Sequence, residues 1–414
     1  MVERIKNISW WKRLIIIFSL LGPGIITGSV DNDAGGITTY SLAGAVYGYN
    51  MIWTLLPAFL ALIVVQEMNA RMGIVTGKGL ADLIRENAGV KVTFFIFLGM
   101  LLIDVGNTTS EFAGIAGSME VFRVNKYISV PIVGFLVWFM VVKGTYSGIE
   151  KIFLVFSASL LVYIVSAIMG KPDWQAIGHA TIHPKIEFTL PYISMVVGLV
   201  GTTIAPWMQF YMQSSVIEKK LKVEDYKITM IDVVVGSIAT VVVAFFIMVA
   251  CASTLNLNGI EIHTAKDAAL ALKPLAGDMA QYVFAFGLFV ASVFAASILP
   301  LTTSFYICQA FGFEAGVDKK WHEAPQFYTL YTSMIIIGVT IILIPNVPLI
   351  ILTYYSQIMN GLLLPIVLIS MFILINKPEV MGKYVNTKFK NIISGTTIFI
   401  LICLSILLLV FLII

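Results

Sequence analysis

Two carboxylates, Asp31 and Asp33, fall inside the first long apolar run of the chain, in the stretch Gly22-Pro23-Gly24-Ile25-Ile26-Thr27-Gly28-Ser29-Val30-Asp31-Asn32-Asp33-Ala34-Gly35-Gly36. A charged side chain at bilayer depth costs at least ~2.5 kcal/mol on insertion scales, so each acid needs water, a cation or a hydrogen-bond donor beside it. Gly35 and Gly36 make the helix easy to break there, and non-helical backbone is tolerated in a membrane only where protein encloses it or it lines a wet cavity. Carbonyls freed from helical bonding beside a carboxylate suit a hard cation. The competing reading of the same residues is a kinked helix with capping aspartates near the interface.

A second interruption lies at Gly198-Leu-Val-Gly201-Thr202-Thr203-Ile204-Ala205-Pro206-Trp207-Met208-Gln209, in the sixth apolar run. Proline removes a helical hydrogen bond and frees carbonyls about a turn earlier, near Thr202. Two broken helices five spans apart are what an inverted five-helix repeat predicts, with the site where the breaks meet. In the third run Asp104, Asn107, Thr108 and Glu111 share one helical face, which lines either a polar cavity or the packed bundle interior. Gln357 and Asn360 in the tenth run either join the site or bond between helices. His179, His183, His263 and His322 are all expected in loops, leaving no imidazole at membrane depth.

The elements that must hold these groups are membrane helices. Apolar residues make up 59% of the 414 and charged residues only 12%, which excludes an ordinary soluble domain. Spans are expected at about 14–48 (interrupted), 51–70, 92–119, 128–143, 152–169, 190–216, 228–254, 278–311, 327–345, 347–375 and 391–414. With the amino terminus cytoplasmic, these eleven spans place 20 of the 26 basic residues inside, as the positive-inside rule requires, and the carboxy terminus outside. The basic start, Met1 to Arg13, reads as the flank of an uncleaved first helix. The loops are too short to hide a soluble domain. Cys251, Cys308 and Cys403 have no CxxC spacing, so neither disulfides nor thiolate metal sites are expected. No hydrolase motif, Walker loop or basic nucleic-acid patch occurs, and an enzyme is not expected.

Taken together and in order, the motifs resemble the natural resistance-associated macrophage protein (NRAMP) family of divalent metal transporters over nearly the whole chain. Gly22-Pro23-Gly24 with Asp33-Ala34-Gly35-Gly36 is similar to the family's GPG and Asp-Pro-Gly-Asn signature. Gln66 to Gly77 resembles its second-span ending, and Glu111-Phe-Ala-Gly114 its third-span Glu-x-x-Gly. Asp267-Ala268-Ala269 through Gly277, and Ser356-Gln357 with Leu364-Pro365, resemble the loop into the eighth span and the tenth span. The departures fall on the chemistry. The family's metal-binding asparagine corresponds to Gly36, its methionine before the sixth-span proline to Ala205, the following histidine to Trp207, and an acid three residues before Glu111 to Thr108. Losing a thioether removes a soft ligand for transition metals. Magnesium, by contrast, is usually held by one or two carboxylates with waters retained. The resemblance is therefore closest to the NRAMP-related magnesium transporter branch, in which it implies transport without proton coupling.

The expectation is an all-α membrane protein of one transporter domain, residues 1–414. Its two repeats would span about 14–169 and 190–375, with an extra helix at about 391–414. It would move a divalent cation, magnesium in hydrated form, across the plasma membrane by alternating access. Asp33 would be the main carboxylate, with Asp31 acting through water or as a nearby field. The carbonyls of Val30 and Thr202 would face the ion, as the resemblance implies, and Gly36 and Ala205 would leave room for hydration water. Asn107, Thr108, Glu111, Trp207, Gln209, Gln357 and Asn360 would line the cavity or pathway. No cofactor is expected; the partners are the transported ion and the bilayer, and the protein would act as a monomer. The alternatives are a proton-coupled manganese or iron carrier and a sodium-coupled organic solute transporter on the same fold.

Overall fold

The fold is described by a computed structural model, which covers residues 22–144, 148, 151–153, 156, 160, 162–256 and 278–413. The expected basic start, the beginning of the first span, much of the fifth span and the loop motif Asp267–Gly277 lie outside the described residues.

The described residues are helical, with no strand among them. In order they form α1 (Pro23–Val30), α2 (Ala34–Tyr47), a 3-10 segment (Gly48–Thr54), α3 (Leu55–Thr76), α4 (Leu80–Val121) and α5 (Lys126–Lys143). There follow α6 (Val162–Met169), α7 (Trp174–Ile182), α8 (Leu190–Thr203), α9 (Pro206–Glu218) and α10 (Tyr226–Thr254). The chain ends with α11 (Asp278–Phe311), α12 (Pro325–Leu343), α13 (Leu349–Ile375), α14 (Pro378–Met381) and α15 (Lys388–Ile413). Nine helical stretches among the described residues are long and apolar enough to cross a membrane. One of them runs through α2, the 3-10 segment and α3, and another through α8 and α9. His179 lies in α7, a short helix outside those stretches, rather than in a loop as expected.

Large apolar side chains such as Phe95 (71% exposed) and Phe399 (66%) stand on the outer surface. The polar residues Asp104, Asn107, Thr108 and Glu111 are at most 1% exposed. That arrangement inverts the soluble rule and is what a lipid solvent selects.

Both expected breaks are present. At the first, α1 begins with Pro23 and ends at Val30; Asp33 is extended (φ −73°, ψ −175°) and caps α2, accepting the Gly36 N–H at 2.6 Å. At the second, α8 ends at Thr203 and Pro206 opens α9. The breaks sit between two apolar cores. Val30, Ala205, Trp207 and Met208 belong to one, and Ala34, Ile37, Tyr40, Val197 and Leu199 to the other.

Small residues bring the broken helices close to their supports. A Cβ on Gly28 of α1 would lie 2.6 Å from the Gly236 carbonyl oxygen of α10, so only glycine permits that crossing. α4 is longer than the expected 92–119 because it continues from Leu80 through a kink at Gly89 (φ 80°), a conformation that favours glycine. At one end of the bundle Glu67 of α3 meets Arg71 (Nε at 3.1 Å), Lys390 at the start of α15 (2.7 Å) and the hydroxyl of Tyr226 at the start of α10. Arg71 also donates to the Tyr384 carbonyl at 2.9 Å and to Asn386. This cluster fastens the segment leading into α15 to the rest of the bundle.

Candidate functional site

Backbone bookkeeping explains why the breaks expose carbonyls. In a continuous helix the Val30 carbonyl would accept from the N–H of residue 34. Here the Ala34 N–H instead donates to Glu111 Oε2 at 3.0 Å. At the second break the residue four beyond Thr202 is Pro206, which has no N–H to give. The carbonyls of Val30 and Thr202 are therefore both released from the helical pattern, and α2, which follows the first break, packs against α8, which precedes the second. Tyr40 of α2 contacts Thr203 of α8 through a 2.8 Å hydroxyl–hydroxyl bond.

Three buried acids gather on the first break. Asp31 is 1% exposed, Asp33 4% and Glu111 0%. The Glu111 carboxyl lies within hydrogen-bonding reach of Asp33, and Asp31 is close enough to Asp33 to feel its charge. Among the described residues no lysine or arginine acts on any of the three. Neither carboxylate oxygen of Asp31 has a hydrogen-bond partner among the described residues. Uncompensated buried anions are strongly destabilising, so this arrangement calls for positive charge from outside the chain. No group of three His, Cys, Asp or Glu side chains among the described residues has the geometry of a resident metal cage. Oxygen donors from side chains and freed carbonyls, without a closed cage, suit an ion that binds and leaves.

The remaining candidates separate into three groups. Gly36 and Thr202 come together: a Cβ on Gly36 would lie 2.5 Å from the Asp31 carbonyl oxygen and 3.2 Å from Thr202 Oγ1. In this conformation the space expected to be freed at Gly36 is thus filled by the break itself. Ala205 and Gln209 form the second group. The Gln209 amide donates to the Ala205 carbonyl at 3.0 Å and its oxygen accepts from Asn69, so that carbonyl is already engaged. Trp207, 1% exposed, is buried in the apolar core beside them.

The third group is a polar chain. Asp104 accepts from Thr303 and Tyr306 of α11 (both 2.9 Å) and from Asn107 (3.0 Å). Asn107 exchanges two 3.1 Å bonds with Asn360 of α13, and Asn360 donates to Gln357 Oε1 at 3.0 Å. The other end of Gln357, its amide nitrogen, crowds the point where a Cβ on Gly35 would lie, as does Asp33 Oδ1. The shared face of α4 is therefore divided: Asp104 and Asn107 bond within the bundle, and Glu111 turns to the break. Thr108 lies between them, and its hydroxyl has no partner among the described residues. Gln357 both bonds to Asn360 and touches the break.

Sequence reasoning missed Asp232. This α10 residue accepts the N–H groups of Gly22 (3.1 Å), Gly24 (2.6 Å) and Ile25 (3.2 Å), anchoring the start of α1. It stands inside the apolar run 228–254, so the rule that singled out Asp31 and Asp33 applied to it equally. Thr303 and Tyr306 gave no comparable signal, because hydroxyls are common in membrane helices.

Comparison with known proteins gives the family. The family model described as natural resistance-associated macrophage protein-like matches residues 24–411. A divalent metal cation transporter MntH of Yersinia pestis (strain Pestoides F) is 26% identical over 403 residues, covering 94% of each chain. One of Pectobacterium carotovorum is 23% identical over 95% of this chain and 94% of its own. Among solved structures, a mutant of the Eremococcus coleocola manganese transporter superposes with a TM-score of 0.78 at 19% identity, covering 98% of this chain and 87% of that one. A nucleobase-cation-symport-1 family transporter gives 0.63 at 13% identity, over 94% and 92%. At these identities the likeness to both structures speaks for the fold. The family match, extending from α1 into α15, carries the conclusion: the chain belongs to the NRAMP family and is a multi-pass membrane transporter.

Proposed function

We propose that the chain is a secondary transporter of a divalent metal cation, which binds where the two breaks meet and crosses by alternating access. One observation carries this reading: three buried acids gather at the first break, which lies against Thr202 of the second, and among the described residues no basic side chain acts on them. Asp33 is the principal ligand and Glu111 a neighbouring acid. The Val30 and Thr202 carbonyls face the ion, and the cluster at Glu67 lies on the cytoplasmic side.

Of the two candidate ions, manganese has the stronger support. The curated relatives carry the name divalent metal cation transporter MntH, and the superposed family structure is that of a manganese transporter. Carboxylate, carbonyl and water oxygens suit manganese as they do magnesium. The comparisons give no support to the expectation of magnesium carried without protons. Magnesium is retained as a second reading on one observation, the donor set itself. Among the described residues the potential ligands found beside Asp33 are oxygens, with no thioether or imidazole, so a transition metal gains no soft ligand there.

The experiment is metal uptake by proteoliposomes carrying the wild type or Asp33→Asn. Asparagine also caps helices well, so the variant keeps α2 while losing the charge. Saturable manganese or magnesium uptake by the wild type, abolished in the folded variant, is the expected result. Undiminished uptake by Asp33→Asn would exclude Asp33 as the ligand.

A further inference from the structure

We infer that Asp104 is a positioning residue: its carboxylate fixes the polarity of the Asn107–Asn360–Gln357 chain, so that Gln357 turns its amide nitrogen, not its oxygen, toward the cation position at Asp33. This rests on the proposed cation site.

A carboxylate accepts only, whereas a primary amide has a donating and an accepting end. Asn107 must therefore turn its NH2 toward Asp104, as the 3.0 Å bond to Oδ1 shows. With that end committed, the paired amides have one compatible arrangement: the Asn107 nitrogen faces Asn360 Oδ1 and the Asn360 nitrogen faces Asn107 Oδ1, each at 3.1 Å. Reversing Asn360 alone would set nitrogen against nitrogen and oxygen against oxygen. The Asn360 NH2 then donates to Gln357 Oε1 at 3.0 Å, which takes up the oxygen and leaves the Gln357 NH2 for the far side. That NH2 is the group found against Gly35, beside Asp33 Oδ1. Among the described residues its one hydrogen bond is a long 3.4 Å approach to Ser356 Oγ.

Every member of the chain is buried, Asp104, Asn107, Asn360 and Gln357 each being 1% exposed, so water does not relax the constraint. Asp104 is itself held by Thr303 and Tyr306, which keep its other oxygen engaged. The consequence is for affinity. An N–H pointed at the position of a cation opposes binding, and a carbonyl there would favour it. Presenting that oxygen requires all three amides to turn over together, and the Asp104 carboxylate blocks the last of them. Asp104 thereby keeps binding at Asp33 weak enough for release.

The test is a double-mutant cycle on the purified full-length protein, reading the Kd for manganese and for magnesium by titration calorimetry. Asp104→Asn can accept or donate in either direction, which frees the chain to reverse. The expected result is tighter binding, on the order of tenfold, the scale of one hydrogen bond to a charged group. In a Gln357→Leu background the chain has no end to present, and adding Asp104→Asn should change Kd less than about twofold. An unchanged or weaker Kd for Asp104→Asn, or the same shift with and without Gln357, would overturn the inference. Should Asp104→Asn fail to fold, Asn107→Leu severs the chain while Thr303 and Tyr306 still hold Asp104, and the same two comparisons apply. A wild-type protein that binds neither ion would instead overturn the cation site, and this inference with it.

Discussion

Asp232 should be worth more to the fold than any single residue in the cation site. Its carboxylate accepts the N–H groups of Gly22, Gly24 and Ile25, at the amino end of a helix only eight residues long. Asp232→Ala would leave three backbone donors without an acceptor where no water substitutes easily. At a net ~1–1.5 kcal/mol for each bond, the loss is about 3–5 kcal/mol, within the range of severe single substitutions. Asp232→Asn keeps one oxygen that can accept two of the three, but its NH2 would face the third donor, so about 1–2 kcal/mol is expected. Extending the size trend of unfolding entropy to this chain gives roughly 1–2 °C per kcal/mol. The assay is thermal unfolding of the purified protein in one detergent. A midpoint roughly 5 °C lower for Asp232→Ala, with Asp232→Asn between it and the wild type, is the expected order. If both variants melted within 1 °C of the wild type, the claim that Asp232 anchors α1 would be wrong.

Two further substitutions test other parts of the account. Gly36→Asn restores the residue that the family resemblance places there, but its Cβ would meet the Asp31 carbonyl at 2.5 Å. It should destabilise by about 1–3 kcal/mol and reduce uptake; a stable variant with faster manganese uptake would show that the break has room for a side chain. Glu67→Gln removes the anion that Arg71 and Lys390 share. It should cost about 1–3 kcal/mol and speed proteolysis between residues 376 and 390, which mass spectrometry of the fragments would locate. An unchanged cleavage rate would mean that the cluster does not hold that segment.

The two helix breaks were legible in the sequence because glycine, proline and intramembrane acid each have a backbone or solvation cost that leaves few alternatives. Asp33 illustrates this, since it serves both readings at once: it caps α2 and is the ligand proposed for the cation. The face of α4 was legible as a face but not in its use. Helical spacing placed Asp104, Asn107, Thr108 and Glu111 together, yet only packing against α11 and α13 decides that Asp104 meets Thr303 and Tyr306 while Glu111 reaches Ala34. At Gly36 the sequence shows a missing side chain but not the Asp31 carbonyl that stands where a Cβ would lie. Asp232 needed no structure to be suspected. Its partners did, since backbone N–H groups leave no mark on residue identity.

The central claim is that a divalent cation crosses at the paired breaks, and the most direct measurement is ion entry into liposomes carrying the purified protein. A manganese- or magnesium-sensitive dye and a pH dye would be enclosed together, each ion run in parallel and Asp33→Asn taken as the blank. The account predicts saturable entry of manganese that Asp33→Asn lacks. The pH dye reports whether protons enter with it, and magnesium entry with a silent pH dye would favour the second reading. Failure of both ions to enter, from well-folded protein, would contradict the account.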